Sequence, residues 1–105
     1  MNIVVHIMPN EKGDPPAKLA DAELHFIGGE LDGLKLIGFA VWQREEDGGE
    51  WAVTLPARLY GVNGERRTVA RLRAVADVSA QNRIRDLVLQ AYADYDDRHS
   101  VAFNS

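Results

Sequence analysis

Hydrophobic and polar residues alternate from Asp21 to Ala76, and the period then lengthens to that of a helix. A short apolar run, Asn2 to Met8, comes first and reads as a strand. Residues 9–18 carry Gly13, Pro15 and Pro16 and read as a mobile, linker-like loop. Three turn signals divide the alternating region into four strands: Asp32-Gly33, Asp47-Gly48-Gly49 and Asn63-Gly64. Asx-Gly pairs supply the positive φ angles that hairpin turns require. From Ala80 to Asp97, the residues Ile84, Leu87, Val88, Ala91 and Tyr95 recur at helical spacing, with Ser79 placed as the N-cap. The expected fold is α+β: an antiparallel β-meander of four to five strands packed on one C-terminal α-helix. The single domain divides into strand and loop (1–20), meander (21–76), helix (79–97) and a tail (98–105).

Turn length fixes register, and register fixes which side chains share a face. A two-residue Asn63-Gly64 loop sets Trp51 opposite Ala76, Val53 opposite Ala74, Leu55 opposite Leu72 and Ala57 opposite Ala70, an apolar face. The opposite face pairs Thr54 with Arg73, Pro56 with Arg71, Arg58 with Val69 and Tyr60 with Arg67. A two-residue Asp32-Gly33 loop sets Phe26 opposite Phe39, Leu24 opposite Val41, Gly28 opposite Ile37 and Glu30 opposite Lys35. A three-residue Asp47-Gly48-Gly49 loop then sets Val41 opposite Leu55 and Phe39 opposite Ala57, at the expense of facing Glu46 with Glu50. One apolar face then runs across all four strands and receives the helix. The second face gathers Glu23, His25, Gly38, Ala40, Trp42, Thr54, Pro56, Arg58, Tyr60, Arg67, Arg71 and Arg73.

Charge sharpens this picture. The chain of 105 residues carries a formal net charge of -4, yet Arg58 to Arg85 holds seven arginines against Glu65 and Asp77. Charge segregated in this way points to a functional face. Register divides the cluster. Arg58, Arg67, Arg71 and Arg73 share a face with Tyr60 and Trp42, Arg66 points the other way, and Arg83 and Arg85 ride on the helix. Guanidinium groups beside exposed rings suit single-stranded nucleic acid, where phosphates meet cations and bases stack. Arginines also solubilise exposed strands, and a bare sheet face also invites a protein partner or a second copy.

Other chemistry is sparse. With no cysteine, disulfides and thiolate sites are excluded. His6, His25 and His99 lack metal-ligand spacing. Glu23 and His25, two apart on one strand, suit a base with its orienter or a plain surface pair. The acidic runs Glu45-Glu46-Asp47 and Asp94, Asp96, Asp97 lack the spacing of a calcium loop. No phosphate-cradling loop or cofactor motif is present. The run Ile3 to Met8 is too short for a signal peptide or membrane span, so a cytoplasmic, non-enzymatic protein without cofactor or metal is expected.

The run Trp51-Ala52-Val53-Thr54-Leu55-Pro56-Ala57-Arg58, the Gly64-Glu65 turn after it, and a helix with an isoleucine/leucine stripe ending near Tyr92 resemble the stage V sporulation protein G (SpoVG) family. The similarity spans about residues 34–92. It implies a small sheet-plus-helix fold, a homodimer formed through strands, and a bacterial regulator that binds DNA or RNA. By resemblance, Arg58 carries over within the matched motif, and Arg83 and Arg85 more loosely. The strand from Arg67 to Val75 is more basic than its counterpart in the family, and the arm from Asp21 to Gly33 also differs. The candidate nucleic-acid contacts, single- or double-stranded, are Arg58, Tyr60, Arg67, Arg71, Arg73, Trp42, Arg83 and Arg85. The alternative is a protein-interaction or dimerisation module that uses the same face.

Overall fold

The computed structural model describes residues 1–44 and 50–104, with side chains described for all of these but Val62 and residues 99–104. Four antiparallel strands, β1 (Asn2–Pro9), β2 (Lys18–Ile27), β3 (Lys35–Gln43) and β4 (Trp51–Thr54), form one sheet in chain order. Two further strands, β5 (Ala57–Val62) and β6 (Glu65–Ala70), form a separate two-stranded sheet. A single helix, α1 (Ser79–Asn104), packs on β1, β3 and β4. The fold is the expected α+β meander on a C-terminal helix, with a hairpin set apart from it.

Alternation decides which side chains enter the core. Ala20, Ala22 and Leu24 of β2, Phe39 and Val41 of β3, and Val53 of β4 are buried beneath Val88 and Tyr92 of α1. Ile3, Val5 and Ile7 of β1 close the same layer. Each large apolar side chain buried there is worth about 1.5–3 kcal/mol. Trp51 meets Tyr92 edge-to-face, with ring centroids 4.7 Å apart. Burial, then the charge of Asp96, pushes the Tyr92 hydroxyl above its ordinary pKa.

Two registers differ from expectation, and the core face survives because each ends on an even shift. β2–β3 is five residues off at the turn end, with Leu24 opposite Leu36, and a β-bulge between Ala22 and Leu24 brings it to four. Val41 lies opposite Ala20 rather than Leu24, and Phe39 opposite Ala22 rather than Phe26. The bulge, Ile37 and Gly38 against Glu23, takes one residue back, and the rest of the shift comes from the β2–β3 connection. It spans residues 28–34, closed by Phe26 N–H to the Leu34 carbonyl (2.9 Å) and by Gly28 N–H to the Asp32 carboxylate (2.6 Å). The pairs Gly28–Ile37 and Glu30–Lys35 therefore do not form, and Lys35 lies opposite His25. Val41 also lies opposite Val53 rather than Leu55, and Phe39 does not reach Ala57. The Asp47-Gly48-Gly49 turn and the Glu46–Glu50 pair lie outside the described residues.

The larger correction falls at Leu55-Pro56. The expected strand from Trp51 to Tyr60 is broken there, and the expected strand through Ala76 ends at Ala70. Proline has no N–H to give a ladder, so a continuous central strand is disfavoured at this point. Pro56 is buried against Gly38. Gly38 holds φ +106°, and a Cβ on it would lie 3.2 Å from the Pro56 ring. The chain leaves the sheet there. β5 and β6 then pair in the expected register, Ala57–Ala70, Arg58–Val69 and Tyr60–Arg67. Asn63 (φ 53°) and Gly64 (φ 80°) supply the two left-handed residues of the turn. Of the expected pairs beyond Ala70, only the Arg71 N–H to Pro56 carbonyl bond (2.8 Å) remains. Thr54 pairs with Ala40 instead of Arg73. Leu55 and Leu72 pack on the core at the root of this arm. The projecting hairpin and long helix raise the radius of gyration to 15.5 Å, above the ~13 Å of a compact domain this size.

The N-cap of α1 is Asp77 rather than Ser79. Its carboxylate accepts the Ser79 N–H (3.0 Å), and its carbonyl accepts the Ala80 N–H. The helix also continues to Asn104, through most of the segment expected as a tail and past Asp97.

Replacing Gly38 with alanine combines left-handed strain with a collision on Pro56. Gly38→Ala should lower the urea unfolding free energy by about 1–3 kcal/mol. Ala substitution of Gly61, which is not left-handed and where a Cβ would meet only the Glu65 carbonyl at 3.6 Å, should cost less.

Candidate nucleic-acid interface

The residues expected on one polar face divide between two surfaces. Glu23, His25, Ala40, Trp42 and Thr54 share the helix-free face of the four-stranded sheet, as expected from alternation. Trp42 donates its indole N–H to the Thr54 hydroxyl (2.9 Å) and is half-buried. Arg58, Tyr60, Arg67 and Arg71 belong to the hairpin arm instead. Trp42 therefore does not belong to the arginine surface.

On the arm, Arg58, Tyr60, Val69 and Arg71 line one open groove of about 580 Å³. Arg67 pairs across the strands with Tyr60. Alternation along β5 and β6 places these side chains on one side. Tyr60 is 41% exposed, and Val69 is exposed as well. Arg67 reaches Glu65 at 3.6 Å, while Arg58 and Arg71 make no ion pair among the described residues. The groove is thus lined by one aromatic ring, one apolar side chain and two cations. Arg73 lies beyond β6, outside the groove lining. Arg83 and Arg85 lie in the first turns of α1, where Arg85 bonds Asn82 at 3.3 Å. Val69 was seen in the sequence only as the partner of Arg58. Its alternation with Arg67 and Arg71 was the signal that it shares the groove.

A second polar assembly sits on the helix-free sheet face. Glu23, only 9% exposed, accepts hydrogen bonds from His25 Nε2 (2.8 Å) and Lys35 Nζ (3.2 Å). The His6 ring stacks on His25 with centroids 5.3 Å apart. The Glu23–His25 pair was legible from their spacing on one strand. His6 and Lys35 were not, because they arrive through the β1–β2 and β2–β3 registers, where His6 faces Glu23 and Lys35 faces His25. Both hydrogen bonds end on Oε1 and tie β2 to β3, and β1 joins through the stacking of His6 on His25. Among the described residues, no cluster of histidines and carboxylates is arranged to hold a metal ion. Among them also, no helix is long and apolar enough to cross a membrane.

Comparison with protein-family models, with functionally characterised proteins and with solved structures gives no match.

The Glu23 cluster makes stability respond to acid. The hydrogen bond from His25, reinforced by Lys35, holds the Glu23 carboxyl below its ordinary pKa against the opposing effect of burial. Hydrogen bonding from Ser79 does the same for Asp77. A carboxyl with a depressed folded pKa stabilises the fold above its unfolded value, and that contribution disappears as pH falls through the folded value. Melting temperature should therefore fall as pH drops below the ordinary glutamate range of about 4.3. Glu23→Gln and Asp77→Asn should each flatten that acid limb, and a limb unchanged in both variants would contradict the assignment.

Proposed function

We propose that this protein is a small non-enzymatic regulator that binds nucleic acid through the basic face of its hairpin arm and acts in the cytoplasm. The observation that carries the reading is the groove of Arg58, Tyr60, Val69 and Arg71, with Arg67 beside Tyr60. Unpaired guanidinium groups on an exposed strand pair supply the charge and donors that phosphate oxygens accept. The Tyr60 ring, beside Arg58 on β5 and opposite Arg67, supplies a stacking surface. The acidic remainder of the chain confines a polyanion to this arm. The resemblance to SpoVG proteins, which bind DNA or RNA, favours the same function. Trp42, Arg73, Arg83 and Arg85 are secondary to the groove in this reading.

A homodimer is the second reading, and the far side of the arm favours it. Leu59 is 67% exposed there, beside Ala57 and opposite Thr68. A lone two-stranded hairpin is marginally stable in water, and a second copy would cover that apolar side while leaving the arginines free.

Oligonucleotide binding measured by fluorescence anisotropy across a salt series tests the proposal. Three arm arginines predict that log affinity falls against log salt with a slope of about -2 to -3. Arg58→Glu with Arg71→Glu should abolish binding, while Trp42→Ala should leave it unchanged. Absence of binding at low salt would refute nucleic-acid recognition. In sedimentation equilibrium, Leu59→Glu should shift a dimer to monomer; a monomeric native chain would exclude the second reading.

A further inference from the structure

We infer that the arm groove takes an unpaired base, so that the protein prefers single-stranded nucleic acid to duplex. The inference rests on the nucleic-acid reading above and concerns the form of ligand. Tyr60 and Val69 line the groove with Arg58 and Arg71: Arg58 lies opposite Val69 and beside Tyr60 on β5, and Arg71 follows Val69 by two residues. Tyr60 and Arg58 are two residues apart on β5, on the same side and about 7 Å apart along the strand. A ring and an apolar side chain beside cations make a floor that accepts the face of a base while the flanking phosphates meet the guanidinium groups.

Duplex fits this floor poorly. In a duplex the base faces are stacked on one another, and only their polar edges reach the grooves. A two-stranded ribbon does enter a major groove, but it reads the edges with polar side chains. Here the inserted surface would set Val69 against base-edge donors and acceptors and leave them without partners, which is costly. An extended strand avoids that penalty. Its bases are free to turn onto Tyr60, and its backbone follows the arm past Arg58, Arg67 and Arg71.

The experiment compares a labelled oligothymidine strand with a mixed-sequence duplex of equal length, at one low salt concentration, for native protein, Tyr60→Ala, Tyr60→Phe, and Arg58→Glu with Arg71→Glu. Circular dichroism checks that each variant keeps the native fold, and Tyr60→Phe keeps the ring where Tyr60→Ala perturbs the arm. The strand should bind at least about 10-fold tighter than the duplex. Tyr60→Ala should weaken strand binding about 10-fold, Tyr60→Phe should retain it, and the duplex should respond little to either. The double arginine variant should lose both ligands. Equal or tighter duplex binding, or equal loss on both ligands in Tyr60→Ala, would overturn the single-strand assignment while leaving nucleic-acid recognition in place. Failure of both ligands to bind the native protein would overturn the two together.

Discussion

The seat of Pro56 on Gly38 organises the molecule. Proline at this position cannot extend the ladder begun by Trp51 to Thr54. Gly38, with φ +106° and no Cβ, is what lets the ring settle against β3. The chain is then redirected, with Leu55 and Leu72 holding the root of the arm on the core. Everything beyond Pro56 follows from that exit. β5 and β6 pair only with each other, their described side chains stay exposed except half-buried Ala70, and the basic stretch is removed from the four-stranded sheet, whose helix-free face is polar.

That separation gives the two polar assemblies different characters. Glu23, His25, His6 and Lys35 satisfy one another across three strands. A buried carboxylate left alone would be costly, and this one has two donors. It contributes to the sheet and offers little unspent bonding capacity. Arg58 and Arg71 present the opposite case: exposed cations with no ion pair among the described residues, lining a groove with Tyr60 and Val69. Such groups gain most from an external anion.

Much of this was legible in the chain. The alternation of Ala20, Ala22 and Leu24 and of Phe39 and Val41 marks the core face, and Asn63-Gly64 marks the hairpin with the observed register. Shifts of two and four residues in the other registers were invisible to that alternation because even shifts preserve the face. The β2–β3 shift comes from local bonding, the Asp32 carboxylate on Gly28 N–H, together with the bulge at Ile37-Gly38, neither of which the turn signal conveys. Asp77 took the capping role expected of Ser79 because its carboxylate lies two residues upstream, where it reaches the Ser79 N–H. Trp42 was grouped with the arginines because Leu55-Pro56 was read as part of one strand. Pro56 was itself the available signal for a break. Grouping His6 with Glu23 required pairing β1 with β2, which no turn signal in residues 9–18 fixed.

The central claim is that ligand contact belongs to the arm and not to the open sheet face. Amide chemical shifts recorded during titration with an oligonucleotide locate that contact residue by residue. The account predicts perturbations concentrated at Arg58, Tyr60, Arg67, Val69 and Arg71, with His25, Trp42 and Thr54 unmoved. Perturbations centred on Trp42 and His25, or none along the arm, would contradict it.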